Sequence, residues 1–256
     1  RLGFLRLRFG ADLTWKKQVR VFAQIQDSRA AGEEVSTSSN VENLDLHQGY
    51  AELTPADWQD VSFRAGRQEW IYGEERMIGA FGWDNVGRSF DGVKLRYARE
   101  RLWIDGFVAR VASSTLAGAT TGSDLYGVYA QSGPRSGSEY EGYLLSFADH
   151  LAAAGETGDE GETAIHALGA RARDRLGPFD FGPEAVVERG ELHGDELEAH
   201  GPPAQAGWTW GERWKTRAFA GYDYATGDAD PSDGERQEMF NFFPTNHPHY
   251  GYADYE

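Results

Sequence analysis

Cationic side chains recur at every second position in several short stretches: Arg6 and Arg8, Lys94 and Arg96, Arg171 and Arg173. Arg20 and Arg217 sit in stretches of the same kind, and Arg67 and Arg88 flank a longer connection. A guanidinium is a planar fork of N–H donors that grips a carboxylate through two parallel bonds, so a row of them suits a multiply charged anion. The plainer reading is that each arginine pairs with a carboxylate of the chain itself. Glu184 and Glu188 are the expected partners, by parity against Ala185 and Val187. Three other groupings could do chemistry. Asp228, Asp230, Asp233 and Glu235 concentrate hard oxygen donors of the sort that hold Ca²⁺, although their spacing departs from an EF-hand and acidic loops are usually only solvated. His247 and His249, beside Asn246 and Asp254, offer metal ligands with no third strong donor in view. Glu69 could serve glycoside cleavage, but no second acid at a defensible distance accompanies it. No catalytic residue, metal or cofactor is therefore assigned.

These cations must be positioned by strands, because apolar and polar residues alternate around them. Val19, Val21, Ala23 and Ile25 oppose Gln18, Arg20, Gln24 and Gln26; Val93, Leu95 and Tyr97 oppose Lys94 and Arg96. Ala164, Leu168, Ala170 and Ala172 oppose Thr163, Gly169, Arg171 and Arg173. About twelve segments alternate in this way: 3–10, 16–26, 46–53, 61–69, 90–98, 101–111, 124–131, 139–148, 162–173, 179–190, 204–210 and 216–225. No convincing amphipathic helix interrupts them. Long and short connections take turns, with 27–45, 70–89, 112–123, 149–161 and 191–203 long. A transmembrane barrel has this rhythm, with long loops at one end and short turns at the other. The connection 70–89 carries Arg76, Trp83, Asp84, Asn85 and Arg88, and is expected to fold over or into the lumen. Trp15, Trp70, Trp103 and Trp208 lie near strand ends, where interfacial girdles form.

Composition narrows the classes. The 256 residues hold no cysteine, so there are no disulfides or thiolate metal sites. No run of 18 apolar residues occurs, which excludes a transmembrane helix but not a membrane barrel. The formal net charge of −16 argues against nucleic acid as a partner. Much of that acid lies in expected loops, as at Glu33-Glu34, Asp159-Glu160 and Asp228-Ala229-Asp230, so it need not describe the lumen. The first residue is Arg1 and the last, Glu256, falls in a charged aromatic stretch, so both ends read as cut.

Several further segments carry a joint signal. They are Gln24-Ile-Gln-Asp-Ser-Arg29, Leu46-His-Gln-Gly-Tyr50, Gly66-Arg-Gln-Glu69 with Tyr72-Gly73, and Arg88-Ser-Phe-Asp-Gly-Val93. Further along come Leu168-Gly-Ala-Arg171, Gly221-Tyr-Asp-Tyr-Ala-Thr-Gly-Asp228, Phe243-Pro-Thr-Asn-His247 and Tyr250-Gly-Tyr-Ala-Asp254. No one motif is specific; by their order and spacing, nearly end to end, they resemble the alginate export family of outer-membrane barrels. The resemblance implies an all-β, antiparallel transmembrane β-barrel of about 18 strands, with an electropositive lumen and loops that occlude the pore. The chain would be a single barrel domain over residues 1–256, lacking a signal peptide and the closing strands. It implies a bacterial outer-membrane channel, not an enzyme, for export or diffusion of an anionic, alginate-like uronate polysaccharide. The expected substrate contacts are Arg6, Arg8, Arg20, Arg67, Arg88, Lys94, Arg96, Arg171, Arg173 and Arg217. Expected partners are that polysaccharide, outer-membrane lipid and periplasmic secretion proteins. Two alternatives stand beside this reading: a soluble glycan-binding β-sandwich and a polysaccharide-cleaving enzyme. Whether Val19, Val21, Val93 and Leu95 face outward separates the first from a barrel.

Overall fold

The computed structural model describes residues 3–31, 44–116, 119–134, 136–211, 213–245 and 247–250. The chain forms two compact units, one of residues 1–95 with 241–256 and one of residues 96–240. The first contains β1 (Gly3–Trp15), β2 (Val19–Ala31), β3 (Asp45–Leu53), β4 (Val61–Gln68), the start of β5 (Phe90–Arg99) and the short helix α1 (His247–Tyr250). The second contains β6 (Leu102–Leu116), β7 (Ala119–Ser132), β8 (Glu139–Ala154), β9 (Glu160–Leu176) and β10 (Phe179–Leu192). It continues with β11 (Asp195–Gly201), β12 (Ala204–Trp210), β13 (Thr216–Tyr222) and β14 (Glu235–Arg236). Sequential strands pair antiparallel from β1 to β4 and from β6 to β11, β12 pairs antiparallel with β10 and β13, and the short β14 pairs parallel with β11. This is the wall of a transmembrane β-barrel. No helix among the described residues is long and apolar enough to cross a membrane, which says nothing of strands.

The alternation read from the sequence sets the two faces. Val19, Val21, Leu95, Val128, Leu144, Leu168 and Val187 are exposed, and Val93 is half-exposed. On the opposite face Gln26, Lys94, Asp105, Glu141 and Arg171 are buried. A sandwich core requires the reverse, so the apolar face is the outer, lipid-facing one. On β10 that face runs from Phe179 to Val187 before Arg189 ends it. At about 3.3 Å per residue and a tilt near 45° this spans roughly 19–21 Å, a little under the height of a barrel's apolar band of about 25 Å. Trp15 and Trp208 are exposed beside the short turns, as girdle residues should be. Trp70 and Trp103 are corrections: Trp70 is buried at 1% exposure and Trp103 stacks on Tyr129. Both lie at strand ends, and the sequence does not say on which face.

Three of the expected long loops are strand. β6 and β7 pair as far as Leu116 and Ala119, β8 and β9 as far as Ala154 and Glu160, and β10 and β11 close through His193-Gly194. These hairpins keep the β ladder past the alternating stretch: the β8–β9 and β10–β11 tips carry charge, as at Asp159-Glu160 and Glu191, and the β6–β7 tip is rich in Ser and Thr. β10 pairs β11 with its last seven residues and β12 with its first five; Pro202-Pro203, which cannot donate to a ladder, separates the two partners. Antiparallel order puts 133–138, 177–178 and 211–215 at one end of the second unit and the hairpin tips at the other.

Candidate functional site

The inner face is built differently in the two units. In the first it is covered by the connection between β4 and β5. Arg6 donates to the Asp84 and Gly82 carbonyls at 2.7 and 3.0 Å, Arg8 and Gln26 donate to Val86 at 3.3 and 2.7 Å, and Ser28 donates to Asn85 at 2.7 Å. Gln26 and Ser28 are buried beneath it. The loop therefore lies on the lumen side, as its sequence predicted, and Arg6 and Arg8 fasten it. The loop has its own core: Trp70 stacks on Phe90 at 4.9 Å, and Phe243 meets Phe90 edge-on at 5.6 Å. A five-residue strip, 241–245, is stitched to it by Phe243 N–H to Met77 and Gly79 N–H to Phe243, both 2.8 Å. Thr245 donates its hydroxyl to Glu75 at 2.6 Å, and Arg88 donates to the Pro244 carbonyl at 3.0 Å. Arg88 thus clamps the strip.

At the foot of this loop Glu69 accepts from His47 Nε2 at 2.7 Å, Arg8 at 3.0 Å and Gln48 at 3.2 Å. Burial would raise its carboxyl, but the His47 hydrogen bond and the Arg8 charge outweigh that and hold it below its ordinary value. Arg67 is a correction to the lumen set. Gly66, at φ +126°, brings its backbone against Gly49, and the register pairs Arg67 with Gly49 on the face of exposed Phe63. Arg67 holds Asp91 on that outer face at 2.7 Å.

In the second unit the inner face carries a ladder of rings. Trp103, Tyr129 and Tyr143 stack in sequence at 5.7 and 5.3 Å, and Tyr143 lies flat over Gly169, where a Cβ would collide with its ring. Arg96 sits over Trp103 at 4.8 Å and grips buried Asp105 through two bonds of 2.6 and 2.7 Å. Tyr129 donates to Glu141 at 2.6 Å, Glu141 pairs with Arg171 at 3.0 Å, and Tyr143 donates to Glu184 at 2.7 Å. Arg173 lies 3.8 Å from Glu139, and Arg217 is held by Asp180 at 2.5 and 2.9 Å. Back in the first unit, Arg20 pairs with Asp12 at 2.6 Å and Arg64, which lies outside the expected set, with Glu52 at 2.6 Å. Lys94 is buried on the inner face. The expected partner Glu188 instead accepts the Phe240 N–H at 2.7 Å, holding the segment after β13 against the inner face, where Phe240 also stacks on Phe147 at 5.3 Å. Cross-strand arginine–carboxylate pairs with stacked rings can brace a wall and still offer donors to an anion.

The alginate export family matches residues 2–256. This chain belongs to that family. Members are outer-membrane barrels, and the two-faced strands above place this one in the bacterial outer membrane as a porin-like channel wall. Solved porin structures of low identity are also similar to it. Salmonella typhi OmpF, solved with daunomycin, is 10% identical over 92% of this chain and 86% of its own, at a TM-score of 0.45. Vibrio cholerae OmpT is 11% identical over 94% and 92%, at 0.38. A mutant form of the Rh. blastica porin is 11% identical over 87% and 91%, at 0.35. No match was found among curated proteins.

The remaining sequence candidates divide. Asn246 and Asp254 lie outside the described residues, and His249 Nε2 is spent on the Glu74 carbonyl at 2.8 Å. The run 228–235 does not close on itself: Asp230 and Asp233 bind backbone and Ser232 within their own turns, while Asp228 meets Glu156 and Glu238. Phe243-Pro-Thr marked part of the strip 241–245 in the sequence, but its contacts and the ring ladder could not be read there, since each depends on residues far apart along the chain.

Proposed function

We propose that this chain forms an outer-membrane conduit, one barrel domain over residues 1–256, that passes a uronate polysaccharide of the alginate kind along its inner face. The observation that carries the reading is that Arg20, Arg96, Arg173 and Arg217 are anchored by carboxylates yet keep 35%, 38%, 58% and 37% of their side-chain surface exposed. An anchored guanidinium is held in one orientation, and its accessible edge can meet a passing carboxylate without first being ordered. Contacts that are individually weak and repeated let a polymer enter and also leave. Arg171 has another role: at 3% exposure it supports the wall through Glu141. Glu69, committed to Arg8, His47 and Gln48, is poorly placed for acid catalysis, which favours passage over cleavage. Outer-membrane lipid meets the apolar face, and periplasmic secretion proteins would deliver the polymer.

Planar-bilayer recording tests this. The pore should prefer anions at low salt and lose preference as salt rises, since the reach of exposed charge is about 10 Å near 0.1 M. Oligouronates should interrupt the current more than neutral oligosaccharides of equal length. Removing two pairs whole, as Arg96→Gln with Asp105→Asn and Arg217→Gln with Asp180→Asn, should weaken that block several-fold while sparing the fold. Equal block by neutral and charged sugars in the native protein would refute the assignment.

A further inference from the structure

We infer that Trp83 and Arg6 form a subsite for one hexuronate unit, the indole taking the C–H face of the sugar and the guanidinium its carboxylate. The inference rests on the uronate reading above and adds to it an aromatic platform on the β4–β5 loop. Trp83 stands in a turn that the Asp84 N–H closes onto the Phe81 carbonyl at 3.2 Å, and it is 60% exposed. Single exposed aromatics are common and mean little alone. The support beneath this one is the distinguishing fact. Arg6 donates Nη1 to the Asp84 carbonyl at 2.7 Å and Nη2 to the Gly82 carbonyl at 3.0 Å, so one guanidinium grips the backbone on both sides of Trp83. An anchor whose backbone is already fixed loses less freedom when it binds. Trp70, in the same connection, is buried in the loop's own core at 1% exposure, whereas Trp83 is turned out of that core.

The charge beside the indole is intact. Arg6 is exposed and bonds two carbonyls, with no carboxylate partner among the described residues. Arg8, on the same strand face, differs in meeting Glu69 at 3.0 Å. Asp84, the acid next to Trp83, turns its carboxyl back on its own turn, where Oδ1 accepts the Val86 N–H at 2.8 Å. A guanidinium carries five N–H donors, and the two carbonyls leave the Arg6 Nε–H and further N–H groups for a ligand. Gly82 leaves room beside the ring, since a Cβ there would meet nothing within 4 Å. A uronate unit has the matching two parts, an apolar patch of C–H groups on one ring face and a carboxylate at the rim. The electron-rich face of the indole attracts the C–H patch, and the charged fork takes the carboxylate. A neutral hexose gains the stacking alone, so the pair favours the acid sugar.

Planar-bilayer recording on the full chain tests this by the dwell time of tetragalacturonate and of maltotetraose in the pore. The native chain should hold the uronate longer. Trp83→Ala should shorten the dwell of both sugars several-fold, and Trp83→Phe should recover most of it. Trp214→Ala, at a tryptophan 82% exposed between β12 and β13, should change neither. Unchanged dwell in Trp83→Ala, with the preference for uronate intact, overturns the subsite and leaves the uronate reading standing. Equal dwell of the two sugars in the native chain overturns that reading and the subsite with it. Shorter dwell accompanied by a raised open-channel conductance would assign the loss to a released loop and also overturn the subsite. If Trp83→Ala fails to fold, oxidative footprinting of the native chain decides. Saturating tetragalacturonate should protect Trp83 and not Trp214, and equal oxidation of Trp83 with and without the sugar overturns the subsite.

Discussion

Both units pair inner-face arginines with carboxylates across strands, as Arg20 with Asp12 and Arg64 with Glu52 in the first, and they differ in a second use of arginine. In the first, Arg6 and Arg8 reach backbone carbonyls of the loop between β4 and β5 and hold it on the wall. In the second, Arg96, Arg171 and Arg217 reach carboxylates of neighbouring strands and hold the wall to itself. The difference lies in what lies opposite. A carbonyl partner leaves the Arg6 charge uncancelled, whereas Arg8 also meets the Glu69 carboxylate, and both fix a segment that could detach. A carboxylate partner cancels the charge and stiffens strands already paired. Covering by a loop and lining by anchored arginines are therefore separable properties, and mutations should separate them.

The largest effect should come from the loop. Deleting 74–86 removes the carbonyls that Arg6, Arg8, Gln26 and Ser28 hold. Single-channel conductance should rise several-fold with little change in ion preference. Unchanged conductance would mean that the covered face is not on the conducting path. In the second unit the counterpart is Gly169→Val, which drives a branched side chain into the Tyr143 ring. Overpacking of this kind costs about 1–3 kcal/mol, readable as a lowered urea midpoint in vesicles. A companion Tyr143→Ala should recover part of the loss; no recovery would show that the ladder is not what Gly169 accommodates.

Acid should loosen the first unit through Glu69. Its carboxyl sits below the ordinary glutamate value of about 4.3, after burial is outweighed by His47 and Arg8. A depressed folded-state value means that the stabilisation is fully present above the unfolded value and is lost as pH falls through the folded one. Protease cleavage within 74–86 should therefore rise as pH falls below about 4.3, and Glu69→Gln should show no such step. A step of the same size in Glu69→Gln would assign the acid response elsewhere. The smallest effect is expected in the β1–β2 turn, where Lys16 and Lys17 take φ of 49° and 58°. Lys17→Gly removes left-handed strain at a β-carbon, worth on the order of 1 kcal/mol, and should raise the unfolding midpoint slightly without touching conductance. A fall in the midpoint would show that the turn relies on the lysine side chain.

The sequence by itself determined the wall. A period of two needs only neighbours in the chain, so Val19-Val21-Ile25 against Arg20 and Gln26, or Leu168-Ala170 against Arg171, gave both the strands and their two faces. The sequence also marked the β4–β5 connection, by its crowd of arginine, tryptophan and asparagine. It could not say how far a hairpin runs beyond the apolar band, because charged tips such as Glu160-Gly161-Glu162 lose the alternation while keeping the ladder. Nor could it choose partners. Whether Arg67 faces in or out depended on the backbone at Gly66, and whether Arg8 meets a carboxylate, a carbonyl or both depended on a loop some sixty to eighty residues away. Glu156, Asp228 and Glu238 come together for the same reason. Local periodicity is fixed by the pleat, whereas cross-strand and loop contacts exist only once register and turn geometry are set.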